Sequence, residues 1–198
     1  MWELTEIVTK AGYIGIILAI FAESGLFFGF FFPGDSLLFS AGLLSAAGHF
    51  NIWILAIGCF VAAVAGDSFG YWFGSHMGPR IFRKEDSHFF HKSHLEKTAK
   101  FYEKYGRKTV LLARIIPIVR TFGPIFAGVA RMPYKIFFMY NVVGAFIWTF
   151  GFLFIAYFLG TTIPAISQYL EWIVLGIIAT SFLPIIHEYW RERGKTEI

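Results

Sequence analysis

The sequence predicts an all-α polytopic membrane protein: an inverted repeat in which each copy is a re-entrant helical hairpin plus a transmembrane helix, followed by a further C-terminal transmembrane helix. Three observations predict this. Hydrophobic residues make up 57% of the 198 positions and charged residues only 15%, a balance that excludes an ordinary soluble domain. Apolar runs at 11–32, 52–73, 136–159 and 163–186 approach or exceed the ~20 residues a helix needs to cross hydrocarbon. Proline and glycine interrupt the apolar segments at 33–35 and 117–124. Such breaks are tolerated at membrane depth only where protein or a wet cavity surrounds the opened backbone.

The chain reads as one membrane domain over 1–198. Its opening decapeptide, MWELTEIVTK, has Glu3 and Glu6 and no basic cluster, so it is expected as a short interfacial helix with Trp2 at headgroup level, and not as a cleaved signal. The first repeat occupies 11–75. A long apolar arm carrying Glu23 meets the break Pro33-Gly34-Asp35, and a second arm, 36–47, spans about half a membrane. The run 52–73 then crosses fully. Its Gly66, Gly70 and Gly74 recur every four residues and offer a flat face for close helix packing.

Residues 79–108 form a basic connection. Nine of the seventeen lysines and arginines fall between Arg80 and Lys108, against four acids, which puts this loop on the cytoplasmic side of the plasma (inner) membrane. Ser93-x-x-Glu96 has the form of a capping box, so a short helix is expected at 95–105, resting on anionic lipid. His88, His91 and His94 are spaced by three, but no carboxylate stands in register, and a solvated interfacial segment is preferred to a metal site. Cys59 is the single cysteine, which rules out disulfides within the chain and thiolate metal sites. No cofactor is expected. The formal charge of +4 reads as a membrane-orientation bias, not as nucleic-acid affinity.

The second repeat, 109–160, holds the stretch LLARIIPIVRTFGPIFAG at 111–128. Arg114 and Arg120 lie there in apolar surroundings, with breaks expected at Pro117, Gly123 and Pro124. An arginine at membrane depth costs roughly 2.5–3.5 kcal/mol on insertion scales, so two of them require an anionic or wet environment. The last transmembrane helix is expected at 163–187 and a cytoplasmic tail at 188–198.

The two copies align at an offset of 86: Ala41-Gly42 with Ala127-Gly128, Gly58 with Gly144, and Tyr71-x-x-Gly74 with Tyr157-x-x-Gly160. Inverted repeats with broken helices are the architecture of many secondary transporters, with the site at the midplane between the repeats. There the chain offers Glu23 and Asp35 from one copy, Arg114 and Arg120 from the other, and Asp67, Thr121 and Asn141 as support. Arginine binds phosphate bidentately, and a desolvated carboxylate can exchange protons. Together they could hold a lipid phosphate and couple its movement to protons. Asp67 also reads as a helix cap and Asn141 as a helix-to-helix hydrogen bond. No nucleophile elbow, zinc-protease motif or phosphate-binding loop is present, so an enzyme is not expected.

The motifs Phe21-Ala22-Glu23, Pro33-Gly34-Asp35 with Ala41-Gly42, Gly66-Asp67-Ser68-Phe69-Gly70-Tyr71, Arg114-x-x-Pro117-x-x-Arg120, and Asn141-x-x-Gly144-x-x-x-Trp148 resemble the DedA family of membrane proteins, which carry the SNARE-associated or VTT domain. The resemblance covers residues 12–160. It implies two facing re-entrant hairpins and a role in moving lipids, undecaprenyl phosphate in bacterial members, with dependence on the proton motive force. By position it implies that Glu23 and Asp35 form the proton-coupling pair and that Arg114 and Arg120 engage the lipid phosphate. The expected partners are therefore membrane lipids, a polyprenyl phosphate carrier and protons. The glycine faces fit either packing within the chain or a homodimer. Two rivals stand beside the coupled flippase: an energy-independent scramblase or phosphatidylethanolamine translocase, and a structural or assembly protein whose charge pairs only hold the hairpins together.

Overall fold

The computed structural model describes residues 2–26, 34–81 and 117–163. Within them the chain forms five helices: α1 (Trp2–Gly25), α2 (Gly34–Ala46), α3 (Ile52–Ile81), α4 (Pro117–Val129) and α5 (Tyr134–Thr162). The described residues contain no strand. Two segments, Ile52–Met77 in α3 and Tyr134–Thr162 in α5, are long and apolar enough to cross a membrane. Both helices bury one side and expose large apolar side chains on the other, such as Trp53, Ile57 and Val61 on α3 and Ile147, Ile155 and Phe158 on α5. A helix that is apolar all round suits lipid on its outer face.

Two elements differ from the sequence expectation. The opening segment is not a separate interfacial helix, because α1 runs unbroken from Trp2 and ends at Gly25, short of residue 32. No proline interrupts it, and Gly12 and Gly15 are tolerated inside a helix at a modest cost. The break expected at Gly123 and Pro124 is also absent, because α4 continues through both. Pro117 opens that helix, where its missing N–H costs no hydrogen bond. Pro124 forgoes the bond to the Arg120 carbonyl and packs against α3, where a Cβ on Gly70 would lie 3.4 Å from Pro124 Cβ.

Local chemistry sets the ends of the helices. Asn51 caps α3, its Oδ1 accepting hydrogen bonds from the N–H groups of Trp53 at 2.9 Å and Ile54 at 3.3 Å. Both short helices, α2 and α4, end in a six-to-one plus five-to-two pair of backbone bonds around a left-handed residue. At α2 the bonds run from His49 N to Leu44 O and from Gly48 N to Ser45 O, with Gly48 at φ 86°. At α4 they run from Met132 N to Ala127 O and from Arg131 N to Gly128 O, with Arg131 at φ 54°.

The helices pair across the repeat. The short helix α2 packs chiefly on α5, and α4 packs chiefly on α3, whereas α2 touches α3 only slightly. Glycines related by the offset of 86 sit at corresponding crossings. A Cβ on Gly42 would lie 2.7 Å from Ala156 Cβ of α5, and one on Gly128 would meet Ser75 N of α3 at 2.8 Å. Gly160 faces Ala46 at 2.6 Å, and Gly74, its counterpart, faces the Ile125 backbone. The third tight crossing joins α1 to α3, where a Cβ on Gly66 would lie 2.7 Å from Phe21 O. The main core lies between these crossings and includes Ile20, Leu38, Leu55, Cys59, Ala145 and Leu153. Asn141 Nδ2 donates to Val64 O at 3.0 Å and ties α5 to α3.

Several expectations fall outside the described residues. These are Pro33, Arg114, most of the basic connection with His88, His91, His94 and the helix at 95–105, and the last transmembrane helix and tail.

Candidate functional site

One cluster of buried charge lies at the ends of the short helices. Four helices contribute one side chain each: Glu23 from the last turn of α1, Asp35 from the first turn of α2, Arg120 from the first turn of α4, and Trp148 from the middle of α5. The break at Gly34 and Asp35 allows this, because it starts α2 directly beside the end of α1. Pro117 does the same for α4, fixing its amino end so that Arg120 projects one turn in.

Arg120 is the hub. It is 7% exposed, and its two terminal nitrogens go to different carboxylates. Nη2 donates to Glu23 Oε1 in a short ion pair. Nη1 donates to Asp35 Oδ1 at 2.6 Å. The guanidinium lies over the Trp148 indole, with Cζ 4.3 Å from the ring centroid, which adds a cation–π attraction. Trp148 also donates its Nε1–H to Asp35 Oδ1 at 2.6 Å, so two donors converge on one carboxylate oxygen.

The two acids differ in their surroundings. Glu23 is 2% exposed, and its second oxygen, Oε2, is buried with no hydrogen-bond partner among the described residues. That oxygen faces the α-carbon of Gly34, the first residue of α2. The Asp35 side chain is 36% exposed and lies in the first turn of the same helix. Negative charge is favoured at an amino end, where backbone N–H groups lack helical partners. Among these three ionisable groups the formal charge is −1 when both acids are ionised. Asp67 on α3 is buried as well and lies within electrostatic reach of Glu23.

The sequence-derived set is thus partly assembled. Glu23, Asp35 and Arg120 meet; Gly34 forms the wall behind Glu23; Asn141 lies at the α3–α5 contact, bonded to Val64; Thr121 follows Arg120 on α4. Trp148 was noted only within a motif and given no role. In a chain with 25 phenylalanines and six tryptophans it looks like any other aromatic of a span. Its distinguishing signal is chemical, since a buried indole N–H needs an acceptor, and here that acceptor is Asp35 of the other repeat.

Among the described residues, an all-helical bundle with two apolar helices long enough to cross a membrane and a buried ion cluster shared by four helices points to the integral membrane class. The VTT domain pattern matches residues 32–158, which include Asp35, Arg120 and Trp148. The chain is 41% identical over 196 residues to Protein DedA of Escherichia coli K12, covering 96% of this chain and 89% of that one. It is 42% identical over 174 residues to the membrane protein ML0287 of Mycobacterium leprae, covering 88% of this chain and 78% of that one. It is 30% identical over 170 residues to the membrane protein slr0232 of Synechocystis, covering 85% and 76%. The chain therefore belongs to the DedA family of VTT-domain membrane proteins. No solved structure matches it.

Proposed function

We propose that this protein carries a lipid phosphate, undecaprenyl phosphate or a related polyprenyl phosphate, across the plasma membrane for envelope biogenesis, with movement coupled to protons. The observation that carries the reading is Arg120, buried and held by two carboxylates from the other repeat. A phosphate headgroup can replace a carboxylate on a guanidinium with little change of geometry, because both present paired oxygens to the same fork.

Charge balance supplies the coupling. With Glu23 and Asp35 ionised, the three groups repel an anion. A proton on one carboxylate brings their sum to zero, so that the cluster no longer repels the headgroup and Arg120 can turn a nitrogen to it. Glu23 is the acid whose unpartnered oxygen could take that proton. Arg114, on the same stretch of sequence as Arg120, would add a second cation. The polyprenyl tail stays in lipid throughout.

The test is the flipping of a labelled polyprenyl phosphate in proteoliposomes, with and without an imposed proton gradient, for wild type, Arg120→Gln and Glu23→Gln. Gradient-stimulated flipping that is lost in Arg120→Gln and becomes gradient-insensitive in Glu23→Gln is expected. Flipping independent of the gradient in wild type points to a scramblase. No lipid movement by folded wild-type protein, with phosphatidylethanolamine tried in turn, leaves the ion cluster a structural clamp.

A further inference from the structure

Trp148 touches both signs of the ion cluster at once. The Arg120 guanidinium lies over its ring and its N–H ends on Asp35 Oδ1, the oxygen that Arg120 Nη1 also uses. The indole is donor-only, so it and Arg120 share the Asp35 oxygen as two donors. Trp148 is 7% exposed on a helix whose other buried residues are mostly small or apolar, and phenylalanine would keep an aromatic ring in the same place.

We infer that Trp148 is a positioning residue that sets how readily Arg120 releases Asp35 to take a phosphate headgroup. This rests on the function proposed above and deepens it. When Arg120 turns to an incoming phosphate, Asp35 loses one of its two donors. The indole N–H remains, so the carboxylate keeps a charge-assisted hydrogen bond and does not pull the guanidinium back. The ring face meanwhile gives the guanidinium a flat surface on which to turn while it stays over the π-cloud. Glu23 has no such second donor on Oε1 among the contacts described, and its Oε2 has none. Release from Asp35 is therefore the cheaper of the two steps, and Asp35 is the carboxylate that the phosphate displaces first.

The test is equilibrium binding of a short-chain polyprenyl phosphate to purified protein in detergent, measured with wild type, Trp148→Phe, Asp35→Asn and the double variant. Phenylalanine keeps the ring under Arg120 and removes only the N–H. Weaker binding by about tenfold is expected for Trp148→Phe, with the loss absent when Asp35→Asn is already present. Thermal melts establish that each variant is folded, and in labelled wild-type protein the Trp148 Nε1–H resonance should shift on adding the phosphate and on Asp35→Asn. Unchanged binding by Trp148→Phe overturns the inference alone. An equal loss in the presence and absence of Asp35→Asn also overturns it, because a merely structural tryptophan would behave that way. Failure of wild type to bind any polyprenyl phosphate overturns the proposed function and this inference with it.

Discussion

The Glu23 carboxylate lies so close to the Gly34 α-carbon that a methyl group there would overlap Oε2. Position 34 therefore has to lack a side chain, because it is the wall against which the most buried acid of the described residues rests. In Gly34→Ala, Glu23 must move off that wall and its ion pair with Arg120 must distort. We expect lipid flipping to fall at least tenfold and stability to drop by about 1–3 kcal/mol. Flipping assays and melts of the same preparation measure both, and wild-type activity in Gly34→Ala would refute the close placement.

Removal of Arg120 should expose the cost of the two acids. Arg120→Gln leaves Glu23 and Asp35 facing each other without a cation, and breaking a buried pair in this way costs about 3–5 kcal/mol. Adding Glu23→Gln and Asp35→Asn to Arg120→Gln should recover most of that loss while leaving transport absent. Chemical denaturation in micelles reads the first effect and proteoliposomes read the second. A triple variant as unstable as Arg120→Gln would mean that the cluster is not an electrostatic unit.

Arg131 occupies the left-handed position that ends α4, where α2 uses Gly48. A side chain with a Cβ is strained there by roughly 1 kcal/mol relative to glycine. Arg131→Gly should stabilise the protein by about that amount, seen as a higher melting temperature, whereas Gly48→Ala should lower it.

The glycines separate into two groups that alanine substitution should distinguish. Gly128 and Gly74 meet backbone atoms of the opposing helix, so a Cβ cannot be accommodated by turning a side chain. Gly128→Ala and Gly74→Ala should each cost about 1–3 kcal/mol. Gly15 and Gly151 have no neighbour within 4 Å of an added Cβ, and alanine there should be neutral or gain about 0.5–1 kcal/mol from helix propensity. Equal effects at all four positions would contradict the crossed packing.

Much of this was legible in the sequence because the governing forces are coarse. Length and hydropathy placed the two spans within a few residues at α5 and at the start of α3. The rarity of charge in an apolar chain picked out Glu23, Asp35 and Arg120, which do meet. The offset of 86 pointed to related helices, and the related glycines sit at related crossings. Finer balances were not legible. Whether Pro124 breaks α4 depends on what its ring packs against, and Gly70 is 54 positions away in the chain. The continuity of α1 past Lys10 depends on the absence of a competing cap. Trp148 needed the third dimension, because nothing near it in the chain shows that its N–H reaches the first turn of α2.

The crossed pairing also governs how the protein must be made. Helix α2 finds its main partner only in α5, and α3 finds one of its two main partners in α4. The nascent amino-terminal half thus enters the bilayer with both glycine faces unmatched and two acids awaiting the cation of Arg120. The same logic means that two separately translated halves, cut within the basic connection, hold in each other most of the helix contacts seen among the described residues. They should reunite in one membrane.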